Sequence, residues 1–319
     1  GRIVTSGYSR RRRNLGVVGR RDDGEPLEGH VGFNGGCEVM TPRVAVLFGF
    51  GINCDHETKA VFELVGATAD RLHVNRLISG EAQLEAYDIL AVPGGFSFGD
   101  HLGSGRLLGN RMRFAMRDAL RNFVDAGKPI IGICNGFQVL VKTGLLPGPE
   151  AGASPDFIQR GSLTLNDSGR YEDRWVTLEF DPESPCIWTK GMTRMECPVR
   201  HGEGKYVMPS SDDLDRLSEH HQLTVRYVDP STSLGDGITD EALPYPLSPN
   251  GSMRNIAGIC DATGLVFGLM PHPEAIYARW LHPTHTRHTD HDASGALEGW
   301  EGEGLQLFRN AVEYVKQRS

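Results

Sequence analysis

The stretch of the 319-residue sequence with the clearest capacity for chemistry is Gly132-Ile133-Cys134-Asn135-Gly136. A thiol stands here between an apolar run, Pro129-Ile130-Ile131-Gly132-Ile133, and a segment in which Val139, Leu140 and Val141 continue as helix. The flanking glycines permit a sharp turn and close backbone approach, the pattern of a nucleophile elbow. Such a turn exposes the sulfur of Cys134 above a sheet, and the positive end of the following helix favours the thiolate that attacks. The Asn135 N–H then points at the reacting carbonyl. An N–H from Gly95 or Phe96, in the loop Gly94-Gly95-Phe96 after an earlier strand, would complete an oxyanion hole, in which one donor is typically worth ~2.7–4 kcal/mol of transition-state stabilisation.

Such a nucleophile needs a base to return a proton to the leaving amine, and the base needs a partner that fixes its tautomer. His272 and Glu274 fit both roles. They occupy alternate positions of an extended segment held by Pro271 and Pro273, immediately after a predicted buried strand. Taken singly, a cysteine after an apolar strand is more often core packing, and His-Pro-Glu is more often a turn. Elbow, paired-glycine loop and late His-x-Glu, occurring together in this order, make the case for Cys134, His272 and Glu274 as a catalytic set. Two other clusters invite a metal reading. His201-Gly202-Glu203-Gly204 reads better as a loop at the mouth of the site or against a partner. The row His282, His285, His288 and His291, with Asp290 and Asp292, reads better as a solvated loop beside Pro283 than as a zinc or nickel site. No metal ligands are expected.

The elements that must hold these residues follow from the apolar spacing. Arg43 to Phe48 is a short apolar run closed by Gly49, the mark of a strand buried on both faces. From Asp55 the spacing of Ala60, Val61, Leu64 and Val65 is helical, and Asp70 to Val74 reads as a second strand, so the opening unit implies a parallel sheet. The pattern recurs with a strand at Tyr87 to Val92 and one long amphipathic helix from Leu107 to Asp125, before the strand that ends at Ile133. Beyond Leu145 the chain becomes more β-like. Strands are predicted at Ser162 to Leu165, Trp175 to Phe180, Val199 to Val207 and Thr224 to Val228, with a helix at Asp213 to His221 and a loop over 230–255. A hairpin of Ile256 to Cys260 and Val266 to Leu269 delivers His272, and a helix from Leu305 to Lys316 closes the chain.

Composition narrows the class. A net charge of -8 and a pI near 5.8 argue against a nucleic-acid-binding face, which needs a basic surface. No run approaches ~18 consecutive apolar residues and the first residues lack the apolar core of a secretory signal, so a cytoplasmic protein away from membranes is expected. Six cysteines without a CxxC pair fit neither a disulfide framework nor a zinc knuckle. Residues 1–40 hold the run Arg10-Arg11-Arg12-Arg13 without apolar periodicity and read as a disordered extension, leaving 41–319 as the folded domain.

From about Arg43 to its end the sequence resembles the class I (triad) glutamine amidotransferases, through Gly132 to Gln138 and His272-Pro273-Glu274. A narrower resemblance, to the glutaminase subunits of phosphoribosylformylglycinamidine synthase, rests on six motifs. These are Asn53-Cys54-Asp55, Pro93 to Asp100, Asn166 to Tyr171, His201 to Gly204, Ser248 to Ser252 and Met270 to Glu274. The resemblance implies an α/β fold of flavodoxin-like kind, a mostly parallel central sheet flanked by helices, with added antiparallel strands in the second half. It implies that glutamine forms a γ-glutamyl thioester on Cys134, releases ammonia, and is freed as glutamate by water. The ammonia would pass to a separate synthetase subunit that makes the amidine from formylglycinamide ribonucleotide in purine synthesis, with a small third subunit joining the two. No cofactor is implied for this chain, ATP and Mg being used by the synthetase. By the same carry-over Gln138, Asn166, Ser168 and Tyr171 contact the substrate.

The sequence departs from the pattern at Phe98 and Tyr171, where tyrosine and phenylalanine are usual, and at Phe50-Gly51-Ile52, which replaces a proline-containing turn. Three other readings stand beside this one: an amidotransferase serving another acceptor, a related cysteine hydrolase, and a non-catalytic glutamine-sensing subunit. The hydrolases of this sheet usually place histidine directly after the cysteine, where Asn135 stands here. A sensing subunit would have signalled itself by lacking Cys134 or His272.

Overall fold

The apolar run after Pro42 forms β1 (Arg43–Phe48), buried from Val44 to Leu47. The computed structural model describes residues 40–287 and 301–318. Residues 1–39 of the expected disordered extension, with Cys37, and the residues His288, Asp290, His291 and Asp292 lie outside the described residues. α1 (Asp55–Leu64) turns Thr58, Val61 and Phe62 inward and ends where Gly66 takes a φ of 86°, a conformation that glycine adopts without steric cost. β2 (Thr68–His73) then pairs parallel with β1. The short α2 (Val74–Ile78) leads on to β3 (Ile89–Val92), parallel to β1 on its other side.

The single long helix expected over 107–125 is two, α3 (Arg106–Ala115) and α4 (Arg117–Asp125), separated at Met116, whose φ and ψ of -122° and 15° leave the helical region. Each half turns its own pair inward, Leu108 and Met112 in the first, Leu120 and Phe123 in the second, and Met116 is itself buried at the joint. No glycine or proline marks the break, so apolar spacing alone read straight through it. β4 (Ile130–Ile133), fully buried, pairs parallel with β3, and α5 (Asn135–Thr143) leaves its end, buried over nearly its whole length. Phe137 of α5 is fully buried, and burial of such a side chain stabilises by roughly 1.5–3 kcal/mol.

The second half supplies β5 (Ser162–Thr164), β6 (Glu172–Phe180), β7 (Arg194–His201), β8 (Lys205–Val207), α6 (Ser211–Glu219), β9 (Val225–Tyr227), β10 (Ile256–Cys260), β11 (Val266–Leu269) and α7 (Leu305–Lys316). The one strand predicted from Val199 to Val207 is thereby split. The chain leaves the main sheet after His201, and β8 pairs instead with β5 in a separate two-stranded ribbon. The cause lies at Gly204, where a Cβ would fall 2.3 Å from the buried His201 ring, so the backbone folds over the imidazole rather than running on.

The main sheet has nine strands in the order β2-β1-β3-β4-β11-β10-β9-β6-β7. Pairs from β2 to β11 are parallel and those from β11 to β7 antiparallel. This is a mixed α/β sheet with a parallel core and antiparallel strands added in the second half, as the sequence implies. No helix among the described residues is long and apolar enough to cross a membrane. The neighbours β3, β4 and β11 release Gly94, Cys134 and His272 respectively beyond their carboxyl ends, where open α/β sheets hold their reactive groups.

Candidate active site

Cys134 is anchored by its N–H, which donates to Leu269 O of β11 at 2.8 Å, and it adopts φ 51° and ψ -106° before α5 begins. A positive φ at a non-glycine residue is strained and persists only where its surroundings dictate it. Here the surroundings are two close approaches. A Cβ at Gly136 would lie 1.7 Å from Val92 O, and one at Gly132 would lie 2.6 Å from Gly136 O, so α5 starts hard against β3 and β4 only because both positions lack side chains. The Cys134 thiol donates to Arg200 O at 3.6 Å.

His272 follows β11, its N–H donating to Pro198 O of β7 at 2.9 Å. Its ring Nδ1 donates to Glu274 Oε1 at 2.6 Å, and both side chains are buried. The carboxylate thus fixes the tautomer and leaves Nε2 without a conventional hydrogen bond among the described residues, with the thiols of Cys134 and Cys54 beside the ring. Burial disfavours the charged imidazole, but the Glu274 carboxylate and the Cys134 sulfur outweigh it, and the His272 pKa stands well above the ordinary histidine value. A cysteine, an imidazole and a carboxylate are therefore brought together in the order that proton transfer to and from sulfur requires.

The glycine loop lies across this pair. A Cβ on Gly94 would sit 2.8 Å from His272 Cε1, 3.2 Å from Cys54 Sγ and 3.4 Å from Cys134 Cβ, so any larger residue would push the reactive groups apart. The Phe96 N–H is already given to Gly51 O at 2.8 Å, whereas the Gly95 N–H has no acceptor among the described residues and is a donor the loop can offer. Asn135 N–H, in the first turn of α5, has no intrahelical acceptor and is the second donor available to an oxyanion. Phe96 reaches the site through its side chain instead. Its exposed ring lies 6.1 Å from that of Tyr171, and the Tyr171 phenol is raised in pKa by partial burial and then by its nearness to Cys134.

The remaining expected contacts are largely occupied by the protein itself. Asn135 Oδ1 accepts from Ser97 N at 3.2 Å, and its Nδ2 donates to Gln138 Oε1 at 2.8 Å. Gln138 Nε2 donates to Glu203 O at 2.6 Å. Asn166 is saturated: Nδ2 donates to Arg170 O at 2.9 Å and His201 O at 2.8 Å, while Oδ1 accepts from His201 Nδ1 at 3.1 Å and Gly204 N at 2.9 Å. Ser168 Oγ donates to Glu172 Oε1 at 2.6 Å. Of the four expected substrate contacts, Gln138, Asn166 and Ser168 are engaged in these internal bonds, and Tyr171 is the one whose side chain is open at the mouth.

Three features carry more of the site than their sequence revealed. His201 forms part of the wall with Asn166 and is held neutral, burial and then the neighbouring His272 pushing its pKa down to about 3. Glu203 ties the same loop to the start of α3, accepting from Ser104 N through Oε2 at 3.2 Å. Cys54, at the N-cap of α1, lies against His272 and Glu274. Its signal was its place, just beyond the end of a parallel strand. The His-rich row does not converge among the described residues: His282 pairs with Glu196 at 3.0 Å, and His285 Nδ1 donates to His282 O at 2.9 Å.

Known proteins share this arrangement of chain. The structure entitled PurLQS from Thermotoga maritima aligns with a TM-score of 0.59 at 26% identity, over 86% of this chain and 99% of that one. Phosphoribosylformylglycinamidine synthase subunit PurQ of Dehalococcoides mccartyi is 42% identical over 84% of this chain and 95% of its own length. The protein of the same description from Methanococcus maripaludis is 40% identical over 87% and 100%. The model of the CobB/CobQ-like glutamine amidotransferase domain matches residues 41–315. Sharing the domain from its first strand to its last helix, and most of its length with these relatives, the chain belongs to the glutamine amidotransferase family.

Proposed function

We infer that the chain is the glutaminase subunit of a phosphoribosylformylglycinamidine synthase. It hydrolyses glutamine to glutamate and ammonia and delivers the ammonia to a synthetase subunit, which makes the amidine from formylglycinamide ribonucleotide in purine synthesis. The observation that carries the reading is the near full-length identity to the PurQ subunits, joined to a thiol, imidazole and carboxylate at the ends of adjacent strands.

In this reading Cys134 attacks the side-chain amide carbon of glutamine, and the oxyanion is held by Asn135 N–H and Gly95 N–H. The raised pKa of His272 supports its carrying the proton that the departing ammonia takes up. The same imidazole then removes a proton from the water that cleaves the thioester, with Glu274 holding its orientation throughout. Tyr171 and Phe96 border the entrance for the amino-acid end of the substrate. The chain needs no cofactor of its own, ATP and Mg serving the synthetase, and it works in the cytoplasm in a complex that includes a small third subunit.

The test is reconstitution with a synthetase subunit and a third subunit. Cys134→Ala should abolish glutamine-dependent synthesis and leave ammonia-dependent synthesis intact, read as product formed with each nitrogen source. Equal loss of both would contradict a purely glutaminase role.

A further inference from the structure

We propose that Cys54, His272 and Glu274 form a binding site for a thiophilic divalent cation of the zinc class, and that its occupancy withdraws His272 from Cys134. A sulfur, a ring nitrogen and a carboxylate oxygen of these three residues lie within 4.8 Å of one another, and all three side chains are buried. Around a tetrahedral zinc, bonds of about 2.3 Å to sulfur and about 2.0–2.2 Å to nitrogen and oxygen leave the ligand atoms roughly 3.3–3.8 Å apart, so the 2.6 Å Nδ1–Oε1 pair must open as the cation replaces its proton. Thiolate, imidazole and carboxylate together suit zinc better than the hard cations that prefer oxygen alone.

Two independent features point to a ligand. Glu274 Oε2 is a buried polar atom with no hydrogen-bond partner among the described residues, a costly condition that a bound cation would relieve. The second is the setting of Cys54. Cys186 and Cys260 belong to the apolar core, whereas the Cys54 sulfur is directed at an ionisable pair and fixed there by its backbone N–H, which donates to Gly94 O at 3.2 Å. Gly94 also separates the two thiols, its Cβ position falling 3.2 Å from Cys54 Sγ and 3.4 Å from Cys134 Cβ. The cation is thereby held by Cys54 rather than by the nucleophile. Its effect on turnover rests on the glutaminase reading, because a cation between Nδ1 and Glu274 removes the carboxylate bond that orients the ring and lets it take up a second proton. Its binding does not.

The experiment titrates the full chain with Cd2+ alone and follows the thiolate-to-cadmium charge-transfer absorption. In a Cys134→Ser chain one equivalent should still bind with the full band. Adding Cys54→Ala should remove the band and weaken binding by about 100-fold or more, and adding Glu274→Gln instead should weaken it by about tenfold. In the complex with the synthetase, Zn2+ should inhibit glutamine-dependent but not ammonia-dependent synthesis, reversibly by chelator. Each variant is scored against its own metal-free rate, and Cys54→Ala should need at least about tenfold more Zn2+ for the same inhibition. A band that survives Cys54→Ala but is lost in Cys134→Ser, or no stoichiometric binding to either, would overturn the site. Binding through Cys54 with undiminished turnover would overturn the withdrawal of His272. A chain inert toward glutamine that binds Cd2+ through Cys54 would instead sink the glutaminase reading and leave the cation site standing.

Discussion

His272 and His201 stand in opposite halves of the sheet, are equally buried, and are driven to opposite protonation states. His272, at the end of the parallel half, is raised well above the ordinary value because Glu274 and Cys134 supply negative charge beside it. His201, at the end of β7 in the antiparallel half, faces a neutral amide and a second imidazole, and it is pushed down to about 3. The parallel half delivers groups whose charge can move, each placed by a strand end. The antiparallel half delivers an imidazole whose charge is suppressed and whose Nδ1 is tied to Asn166, a wall rather than a reagent. Burial alone therefore does not set the role of a histidine; the partner at Nδ1 does.

The sharpest way to break this comparison is to remove the partners in the first half. His272→Asn should lower the glutaminase kcat by about four orders of magnitude or more. Glu274→Gln should come close to that, because an amide can hold the imidazole in the wrong tautomer. Steady-state glutamate release in the complex is the measurement, and a loss of under tenfold for His272→Asn would deny the reactive role. Gly136→Ala tests the elbow itself. With 1.7 Å between its Cβ and Val92 O, it should cost about 1–3 kcal/mol in unfolding free energy and about 100-fold in kcat by displacing Cys134, read from denaturant curves and turnover on the same preparation.

In the second half the expected effects fall on stability and KM more than on kcat. Asn166→Ala strands the Gly204 N–H and two carbonyls, and it should destabilise by about 2–4 kcal/mol and raise KM for glutamine with a smaller change in kcat. The smallest effect concerns pH. The folded pKa of His201 lies below the unfolded value of about 6.5, so an acidified unfolded chain takes up a proton that the folded chain refuses. The stability is present above about 6.5 and is lost as pH falls toward about 3. His201→Gln should flatten the fall in unfolding free energy across that window, and an unchanged slope would show that His201 is not held neutral.

The difference between the halves also explains what the sequence disclosed. Strand ends announce themselves by an apolar run followed by glycine, so Cys134, the Gly94-Gly95 loop and the hairpin leading to His272 were legible, as was the helix Leu305–Lys316. The internal partners of Gln138 and Asn166 were not. Their side chains meet Glu203 O and His201, 65 and 35 residues away, and a polar residue facing substrate looks the same in sequence as one saturating distant backbone. The Phe96 N–H, offered as an oxyanion donor by its position, is consumed by Gly51 O in a bridge that no local pattern encodes. The break at Met116 was hidden because both helices keep one apolar phase across it. Cys54 was visible as part of a motif, but its nearness to His272 depends on β1 and β11 lying in one sheet with β3 and β4 between them.

The most direct test of the central claim is peptide mapping of the chain in its complex after exposure to an electrophilic glutamine analogue, with and without excess glutamine. A single adduct on Cys134 that glutamine suppresses is the predicted result. Labelling that spreads to Cys54, Cys186 and Cys260 without protection, or no adduct with the synthetase present, would contradict Cys134 as the nucleophile of a glutaminase.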